Sequence, residues 1–261
     1  VCFVHVSLVP VMGPVGEQKT KPTQHTVKEL RGLGIIPDIL VCRSENPLED
    51  ETRAKLAAFC HVSKDAVVSA HDVSNLYQIP ISLYEQSVLR KVSQHLGFEV
   101  PDSMPLLDEW KVMADKVDRL EEEVNIAMVG KYTGLSDSYL SVIKALQHSA
   151  FAVDRKLSID WIESTDLDPT ENSEKHDEAW DLLRAADGIL VPGGFGVRGV
   201  EGKIAAANYA RTNNVPYLGV CLGLQIATIE FCRNVLGLEN ANSTEFDENT
   251  PNPAVIFMPE I

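Results

Sequence analysis

The chain has 261 residues, 44% of them hydrophobic, and a formal net charge of −15. This charge argues against broad binding to nucleic acid or to a membrane surface, because both require clustered lysine and arginine, although it leaves local nucleotide binding open. No apolar run approaches the ~20 residues of a membrane-spanning helix, and the five cysteines have no metal-ligand spacing, so we expect a cytoplasmic globular protein without a metal site in this sequence.

The amino-terminal part of the sequence predicts a strand, a polar loop and a short helix. Residues 1–10 are rich in β-branched side chains, which is typical of a buried strand. Residues 17–24 form the loop. The helix is predicted over residues 26–33, with Thr26 and Glu29 as a capping box.

The polar loop carries two lysines and two threonines immediately before this helix. Ammonium groups neutralise phosphate charge, while hydroxyls and free N–H groups donate to phosphate oxygens, so the loop is suited to a polyphosphate. From this chemistry alone, the alternative for Lys19 and Lys21 is an ordinary solvated loop.

Two further buried strands are predicted over residues 38–43 and 66–70, with a helix over 48–60 between them. Lys55 lies on that helix, and a solvated surface lysine is its simplest interpretation. The tripeptide His71-Asp72-Val73 follows the second strand, at the carboxyl end where ligands collect in open α/β sheets. A packed or hydrogen-bonded structural histidine is the alternative there.

A helical segment with a linker separates the first half of the chain from the second. Residues 83–96 predict one helix that ends at Gly97, and the proline-containing residues 98–106 are typical of a linker. Residues 110–123 are charged and helical, which indicates an interdomain helix or a solvated face.

From residue 124 onward, strands and helices alternate. Three buried strands are predicted over residues 124–130, 157–162 and 187–191. Between them come a helix over 137–151, a polar loop over 166–177 and a helix that closes at 181–186. This βαβαβ alternation predicts a parallel, doubly wound sheet, with the turn around residue 221 at a switch point.

The sequence around Cys221 has the order of a nucleophile elbow. A short apolar run ends in Gly219-Val220-Cys221-Leu222-Gly223, and an amphipathic segment over residues 224–236 follows at once. A side chain at the tip of so tight a turn needs glycine two residues to either side, and the helix N-terminus favours its thiolate. We interpret Cys221 as a nucleophile. The alternative is a small buried cysteine, which is the simpler interpretation of Cys232.

A second glycine-rich stretch, residues 192–196, follows the buried strand 187–191. Its backbone N–H groups are free to face a ligand, as an oxyanion hole requires. Donors from Gly194 and Leu222 are predicted to stabilise a tetrahedral intermediate, an effect worth about 3 kcal/mol per donor. A mobile turn is the alternative.

These motifs resemble a known family. Pro192-Gly193-Gly194 and the elbow through Leu224 and Gln225 are similar to the glutaminase domain of class I glutamine amidotransferases. Two further segments, residues 198–203 and 240–246, narrow the resemblance to the CTP synthase family, and it covers essentially the whole chain.

The resemblance implies an α/β fold in two parts. The C-terminal part of a P-loop-type amidoligase domain would cover residues 1–97, and a linker with an interdomain helix residues 98–123. The N-terminal part of a doubly wound, flavodoxin-like glutaminase domain would cover residues 124–261.

The resemblance also implies an activity. ATP would phosphorylate the 4-oxygen of UTP with the help of Mg²⁺, and ammonia released from glutamine would displace phosphate to give CTP. GTP would act as allosteric activator and CTP as feedback inhibitor of a cytoplasmic homo-oligomer, a tetramer with possible filaments.

Matching positions give each site its residues. The glutamine site would contain Cys221 as nucleophile with Gly194, Leu222, Gly223, Leu224, Gln225 and Glu245. The UTP and CTP site would contain Lys19, Thr20, Lys21, Pro22, Thr23, Gln24 and Lys55. The ATP base would lie against His71, Asp72 and Val73.

The family's remaining machinery is expected outside this sequence. The P-loop and the acidic Mg²⁺ ligands would precede Val1, and the His and Glu that activate the nucleophile would follow Ile261. We therefore expect the 261 residues alone to be inactive. Two alternatives remain: a noncatalytic assembly or regulatory relic of the family, and another cysteine hydrolase with the same elbow. The segment 19–24 counts against the second.

Overall fold

The computed structural model of the chain describes residues 1–13, 16–101, 103–131, 136–168, 170 and 174–257. Two predicted loops lie partly outside the described residues. These are residues 132–135 of the loop before residue 137, and residues 169 and 171–173 of the loop predicted over 166–177. The chain divides into two compact units, Val1–Arg119 and Leu120–Ile261. None of the helices in the described ranges has the length and apolar content needed to span a bilayer.

The first unit contains a parallel sheet with helices packed on it. Its elements are β1 (Val4–Leu8), β2 (Val11–Met12), β3 (Glu17–Gln18), α1 (Lys21–Gly32), β4 (Ile39–Ser44), α2 (Asp50–Cys60), β5 (Val67–His71), α3 (Ile79–Glu85), α4 (Val88–Leu96) and α5 (Pro105–Val117). The sheet has the strand order β1-β4-β5, and β2 pairs with β3 as a separate antiparallel ribbon. The core lies between sheet and helices and includes Val27, Leu40, Leu56 and Val67.

Helix α1 begins earlier than the sequence predicted. It starts at Lys21 rather than Thr26, so the predicted capping box is wrong, and residues 21–24 form the first helical turn instead of a loop. Pro22 accounts for this start, because proline has a fixed φ and no N–H, and the first turn of a helix tolerates both.

Strand β1 is exposed, although the sequence predicted a buried strand. Val6 and Leu8 are 62% and 60% exposed, because they lie on the face of β1 opposite the one that contacts α1, where Ser7 bonds to Thr23. Clustered β-branched residues indicate a strand, but they do not tell whether a neighbour covers it.

The helix predicted over residues 83–96 is two helices. Helix α3 ends at Glu85 and α4 begins at Val88, because Ser87 between them has a left-handed φ of 59°. The predicted stop at Gly97 is present, with a φ of 73°.

Helix α5 also lies earlier than the predicted range of 110–123. It begins at Pro105 and ends at Val117, and Glu123 already belongs to the next strand. Trp110 Nε1 donates a hydrogen bond to the carbonyl oxygen of Tyr77 at 2.7 Å, so this helix packs on the first unit.

The second unit is a doubly wound sheet, as predicted. Its elements are β6 (Glu123–Gly130), α6 (Leu140–Ala152), β7 (Lys156–Glu163), α7 (His176–Ala185), β8 (Gly188–Val191), α8 (Val200–Asn213), β9 (Tyr217–Gly219), α9 (Leu222–Asn234), β10 (Asn242–Ser243) and β11 (Pro253–Val255). The four main strands are parallel in the order β7-β6-β8-β9, and β10 pairs with β11. Short 3-10 turns precede α6 at Ser136–Tyr139 and follow β7 at Ser164–Leu167.

The strand order fixes the switch point of this sheet. The chain moves from β6 outward to β7 and then returns past β6 to β8, so the loops after β6 and β8 leave in opposite directions. The crevice between them is the switch point. The turn at Cys221, predicted at the switch point itself, follows β9 and lies one strand away.

Candidate active site

Cys221 lies at the corner between β9 and α9. The strand ends at Gly219 and the helix begins at Leu222, two residues before the predicted start. Cys221 has φ 53° and ψ −106°, a conformation that non-glycine residues rarely adopt. Backbone strain of this kind clusters at functional sites, and here it presents an exposed thiol.

The glycines on either side of Cys221 permit the tight corner. A Cβ atom added at Gly219 would lie 2.4 Å from the carbonyl carbon and oxygen of Gly223. The hydroxyl of Tyr217 donates to the same Gly223 oxygen at 2.9 Å, and burial raises the pKa of that phenol. The strand and the first helical turn therefore touch directly.

The glycine-rich loop after β8 lies against the nucleophile. A Cβ atom added at Gly193 would lie 3.3 Å from Cys221 Cβ and 3.8 Å from its Sγ, and one at Gly194 would lie 3.5 Å from Leu222 Cδ2. The two glycine motifs of the sequence thus meet at one place.

The two predicted oxyanion donors are free in the described part of the chain. The first turn of α9 uses the N–H groups of Gly223, Leu224 and Gln225 in bonds to Val220 and Cys221 carbonyls. Neither the N–H of Gly194 nor that of Leu222 donates to another described residue. Both remain available to an oxygen beside Sγ.

One peptide group of the loop is held at both of its polar atoms. Lys131 Nζ donates to the carbonyl oxygen of Phe195 at 2.9 Å, and the N–H of Gly196 approaches Glu245 Oε1 at 3.5 Å. Lys131 Nζ also lies 3.3 Å from the Gly196 oxygen. Sequence reasoning missed Lys131, although its position directly after a buried strand was a usable signal.

Two other predicted glutamine-site residues lie on the first turns of α9. The side-chain oxygen of Gln225 is buried and has no hydrogen-bond partner among the described residues. An unpaired buried acceptor is costly, so it marks a place where a ligand donor would be favourable. Leu224 is 63% exposed beside the corner.

Three cations lie in the electrostatic neighbourhood of the partly buried Glu163. Burial and, second, the charge of Lys131 lower the pKa of Lys203 to about 8, and the charge of Glu163 opposes them. Burial also lowers the pKa of Lys131, with Arg198 as the second cause. Arg198 Nη2 lies 3.6 Å from Glu163 Oε1.

An ion pair between α8 and α9 supports the corner. Glu230 is buried and accepts from Arg211 Nε at 3.0 Å and Arg211 Nη2 at 2.8 Å, and from Asn208 and Asn234. Burial alone would raise the pKa of Glu230, but the bonds from Arg211, Asn208 and Asn234 outweigh it and lower the pKa.

No general base accompanies Cys221 in the described ranges. Cys221 is a free thiol, and the hydrogen bonds of the described histidines go to other groups, such as Thr26, Ser69 and backbone carbonyls. In the same ranges, no three His, Cys, Asp or Glu residues are placed to hold a metal ion.

In the first unit, the predicted phosphate donors are largely engaged by the protein itself. Thr23 Oγ1 donates to the Leu8 carbonyl at 3.3 Å, and Gln24 Nε2 donates to Thr20 Oγ1 at 2.9 Å. Both threonines are buried, whereas Lys21 and Pro22 are exposed at the start of α1. The lysines are therefore more accessible than the threonine hydroxyls, and the role of the hydroxyls stays a prediction.

The lysines of this region share one carboxylate. Lys19 Nζ forms an ion pair with Glu17 Oε2 at 2.5 Å. The pKa of Glu17 is lowered mainly by Lys19 and to a smaller degree by Lys55, so Lys55 lies in the same electrostatic neighbourhood. Beside it, a groove of about 460 Å³ is lined by Lys21, Gln24, His25, Lys28, Arg31 and Phe59.

His71, Asp72 and Val73 line another surface pocket, together with Lys111. His71 is the last residue of β5, and its Nδ1 lies 3.2 Å from Ser69 Oγ. Asp72 forms an ion pair with Arg43 at 2.7 Å. The tripeptide is at the carboxyl edge of the sheet, where the sequence predicted it.

Comparison with known proteins adds two family models. The model described as CTP synthase N-terminus matches residues 1–98, and the model described as glutamine amidotransferase class-I matches residues 135–252.

Individual relatives match along the whole chain. The CTP synthase of Dictyostelium discoideum is 51% identical over 277 residues, covering 100% of this chain and 48% of that protein. CTP synthase 1 of Homo sapiens is 53% identical over 263 residues, covering 99% of this chain and 44% of that protein. A solved structure described as the Trypanosoma brucei CTPS glutaminase domain with bound acivicin is 46% identical, covers 52% of this chain and 50% of its own, and has a TM-score of 0.47. The chain spans about half the length of the curated relatives.

Proposed function

The chain belongs to the CTP synthase family, and from that premise we propose that it is an internal segment of a glutamine-hydrolysing CTP synthase. We propose residues 1–97 as the C-terminal part of the amidoligase domain, 98–123 as linker and interdomain helix, and 124–261 as the N-terminal part of the glutaminase domain. The full-length protein would be a cytoplasmic homotetramer that uses UTP, ATP and glutamine, with GTP as activator and CTP as feedback inhibitor.

In the glutaminase half, the thiolate of Cys221 attacks the carboxamide carbon of glutamine. The carbonyl oxygen becomes an oxyanion, which the N–H groups of Gly194 and Leu222 stabilise. The acid–base residue expected elsewhere in the full-length protein returns the proton of the thiol to the leaving nitrogen, so collapse of this intermediate expels ammonia and leaves a glutamyl thioester, which water hydrolyses to glutamate and the free thiol. Glu245 and Gln225 bind the polar groups of glutamine.

In the amidoligase half, the exposed Lys21 and the neighbouring Lys19 and Lys55 neutralise the triphosphate of UTP or CTP. His71, Asp72 and Val73 contact the ATP base. A bound Mg²⁺ would supply positive charge that offsets the charge of the ATP phosphates. No three His, Cys, Asp or Glu side chains of the described residues are placed together to hold a metal ion, and we propose that its ligands belong to another part of the full-length protein.

One observation carries the glutaminase assignment: the Gly193-Gly194 backbone lies against the strained, exposed Cys221. The chain alone should turn over no glutamine and make no CTP, because the described residues supply no base for the thiol. A noncatalytic relic of the family would also lack a base for the thiol among these residues. The lysines at residues 19–21 count against an unrelated cysteine hydrolase, which has no use for a nucleotide triphosphate.

The test is Cys221→Ala in the full-length protein. Glutamine-dependent CTP formation should disappear, while formation from added ammonia should continue, because amination does not use the thiol. Cys232→Ala is the matched control and should keep both activities. Loss of both activities in a folded Cys221→Ala protein would show that the role of Cys221 is wrong, and a wild-type protein without either activity would favour the relic.

A further inference from the structure

The peptide group between Phe195 and Gly196 is fixed from two sides. Its carbonyl oxygen accepts from Lys131 Nζ at 2.9 Å, and its N–H approaches Glu245 Oε1 at 3.5 Å. Because a peptide group is planar, holding both polar atoms fixes its rotation about the chain. The Gly194 N–H belongs to the Gly193–Gly194 peptide, two peptide groups earlier in the same loop, so fixing the Phe195–Gly196 peptide anchors one end of the short segment that carries this donor.

The loop needs such a restraint. Gly193, Gly194 and Gly196 have no side chains to limit their backbone, and Gly196 has a φ of 77°. Glycine loses more conformational freedom on ordering than any other residue. The side chain of Lys131 replaces the restraint that the loop lacks.

The backbone of Lys131 is itself held in place by its neighbours. It follows β6, next to the switch-point crevice, and Tyr139 holds its backbone: the phenol donates to the Lys131 oxygen at 2.7 Å. A Cβ atom added at the preceding Gly130 would lie 3.1 Å from Tyr139 Oη and 3.6 Å from Pro192 Cγ. The end of β6 therefore packs against the start of the loop.

The charges around Lys131 argue against a simple ion pair. Its Nζ donates to two loop carbonyls, Phe195 and Gly196, whereas no carboxylate of the described residues bonds to it directly. Burial and then the like charge of Arg198 lower the pKa of Lys131, while the charges of Glu163 and Glu245 oppose them without a direct bond. The direct hydrogen bonds of the Lys131 side chain therefore go to the loop carbonyls, as a positioning role requires.

We propose that Lys131 is a positioning residue for glutamine hydrolysis: its hydrogen bonds to the Phe195 and Gly196 carbonyls hold the Gly194 N–H toward the oxyanion beside Cys221. This inference rests on the proposed function of the same site. Glu245 is also the proposed partner of glutamine, so when it turns to the ammonium group of the substrate, Lys131 alone keeps the peptide oriented. The bound substrate therefore makes Lys131 more important, not less.

The experiment compares Lys131→Met, Lys131→Arg and the control Lys156→Met in the full-length protein. Lys156 is an exposed lysine of the same unit, paired with Glu123 far from the loop. Loss of an oxyanion donor costs about 100- to 1000-fold in kcat, so a misdirected donor in Lys131→Met should lower glutaminase kcat by about 10-fold or more, with little change in KM. Lys131→Arg should recover part of the rate, and Lys156→Met should equal wild type.

A second measurement separates positioning from general damage. Iodoacetamide alkylates the thiol by displacing iodide and forms no oxyanion, so its rate at Cys221 should be the same in Lys131→Met and wild type. Ammonia-dependent CTP formation should also be unchanged. Equal glutaminase rates in Lys131→Met and Lys156→Met, an effect confined to KM, or slower alkylation of Lys131→Met would each overturn the proposal. If wild type itself hydrolyses no glutamine, the proposed function fails first.

Discussion

The α-carbon of Gly223 lies directly over the carbonyl oxygen of Val191: a Cβ atom added at Gly223 would be 2.0 Å from that oxygen. The backbones of strand β8 and helix α9 are therefore too close for any side chain at residue 223. This contact fixes how close the corner at Cys221 lies to β8. The corner faces the glycine-rich loop that follows β8.

Gly223→Ala should be strongly destabilising. Alanine favours helix interiors over glycine by about 1 kcal/mol, but a Cβ at this position would force the helix off the strand, and overpacking of this kind costs about 1–3 kcal/mol or more. Gly32→Ala at the end of α1 is the control, because a Cβ there meets nothing within 4 Å. Urea unfolding should show a lower midpoint for Gly223→Ala alone. Equal midpoints would mean that β8 and α9 do not pack this closely.

The exposed residues Lys21 and Lys55 should contribute to UTP binding with either nitrogen source. In the full-length protein, Lys21→Ala and Lys55→Ala each remove one charged phosphate contact, worth about 1.5–3 kcal/mol, so UTP dependence should weaken about 10- to 100-fold with glutamine or ammonia. Lys64→Ala, in which an exposed lysine paired with Asp50 is removed, is the control. Unchanged UTP dependence would return both lysines to the solvated surface.

Local patterns in the sequence were enough for elements whose cause is local. The apolar run 188–191 became a fully buried strand, and glycine spacing alone indicated the corner at Cys221. The first helix was misplaced because the restriction imposed by Pro22 outweighed a plausible capping box. β1 was predicted to be buried because clustered β-branched residues do not tell whether both faces of a strand are covered.

Long-range contacts account for what the sequence could not give. Lys131 meets Phe195 only because β6 and β8 are neighbours in the sheet, so the position of Lys131 after a strand indicated a place near the site but not its partner. The sequence predicted the reactive groups of the site, but the residues that orient them could be identified only from the strand order.

The Arg211–Glu230 pair should stabilise the second unit in a pH-dependent way. Arg211→Met leaves the buried Glu230 carboxylate without its charged partner, so it should destabilise the unit more than the loss of an exposed ion pair does. Lys156→Met removes an exposed partner of Glu123 and should cost less than about 1 kcal/mol. Chemical unfolding of the three proteins near pH 7 measures both values.

The sign of the pH dependence follows from the lowered pKa of Glu230. A carboxyl whose pKa is lower in the folded state stabilises the fold above its unfolded pKa, which is 4.5 for an ordinary Glu, and this contribution is lost as the pH falls through the folded value. The difference between wild type and Arg211→Met should therefore be largest near neutral pH and shrink below about pH 4. A constant difference down to acid pH would mean that Glu230 is not the titrating group.

The last prediction concerns the accessibility of the five thiols, and it can be tested with the 261-residue chain alone. Alkylation requires the thiolate and an open approach. Cys221 is exposed at a helix N-terminus, whereas Cys42 and Cys60 are buried in the first core, and burial raises the pKa of the Cys42 thiol to about 12 and also raises the pKa of Cys60. With limiting iodoacetamide near neutral pH, mass spectrometry of the peptides should show Cys221 modified first, Cys2 and Cys232 later, and Cys42 and Cys60 last. The Cys221→Ser chain should lose the fastest phase and keep the others, whereas a fastest phase at Cys232 would contradict an open elbow, because a thiol on the side of α9 would then be more available than the one at its tip.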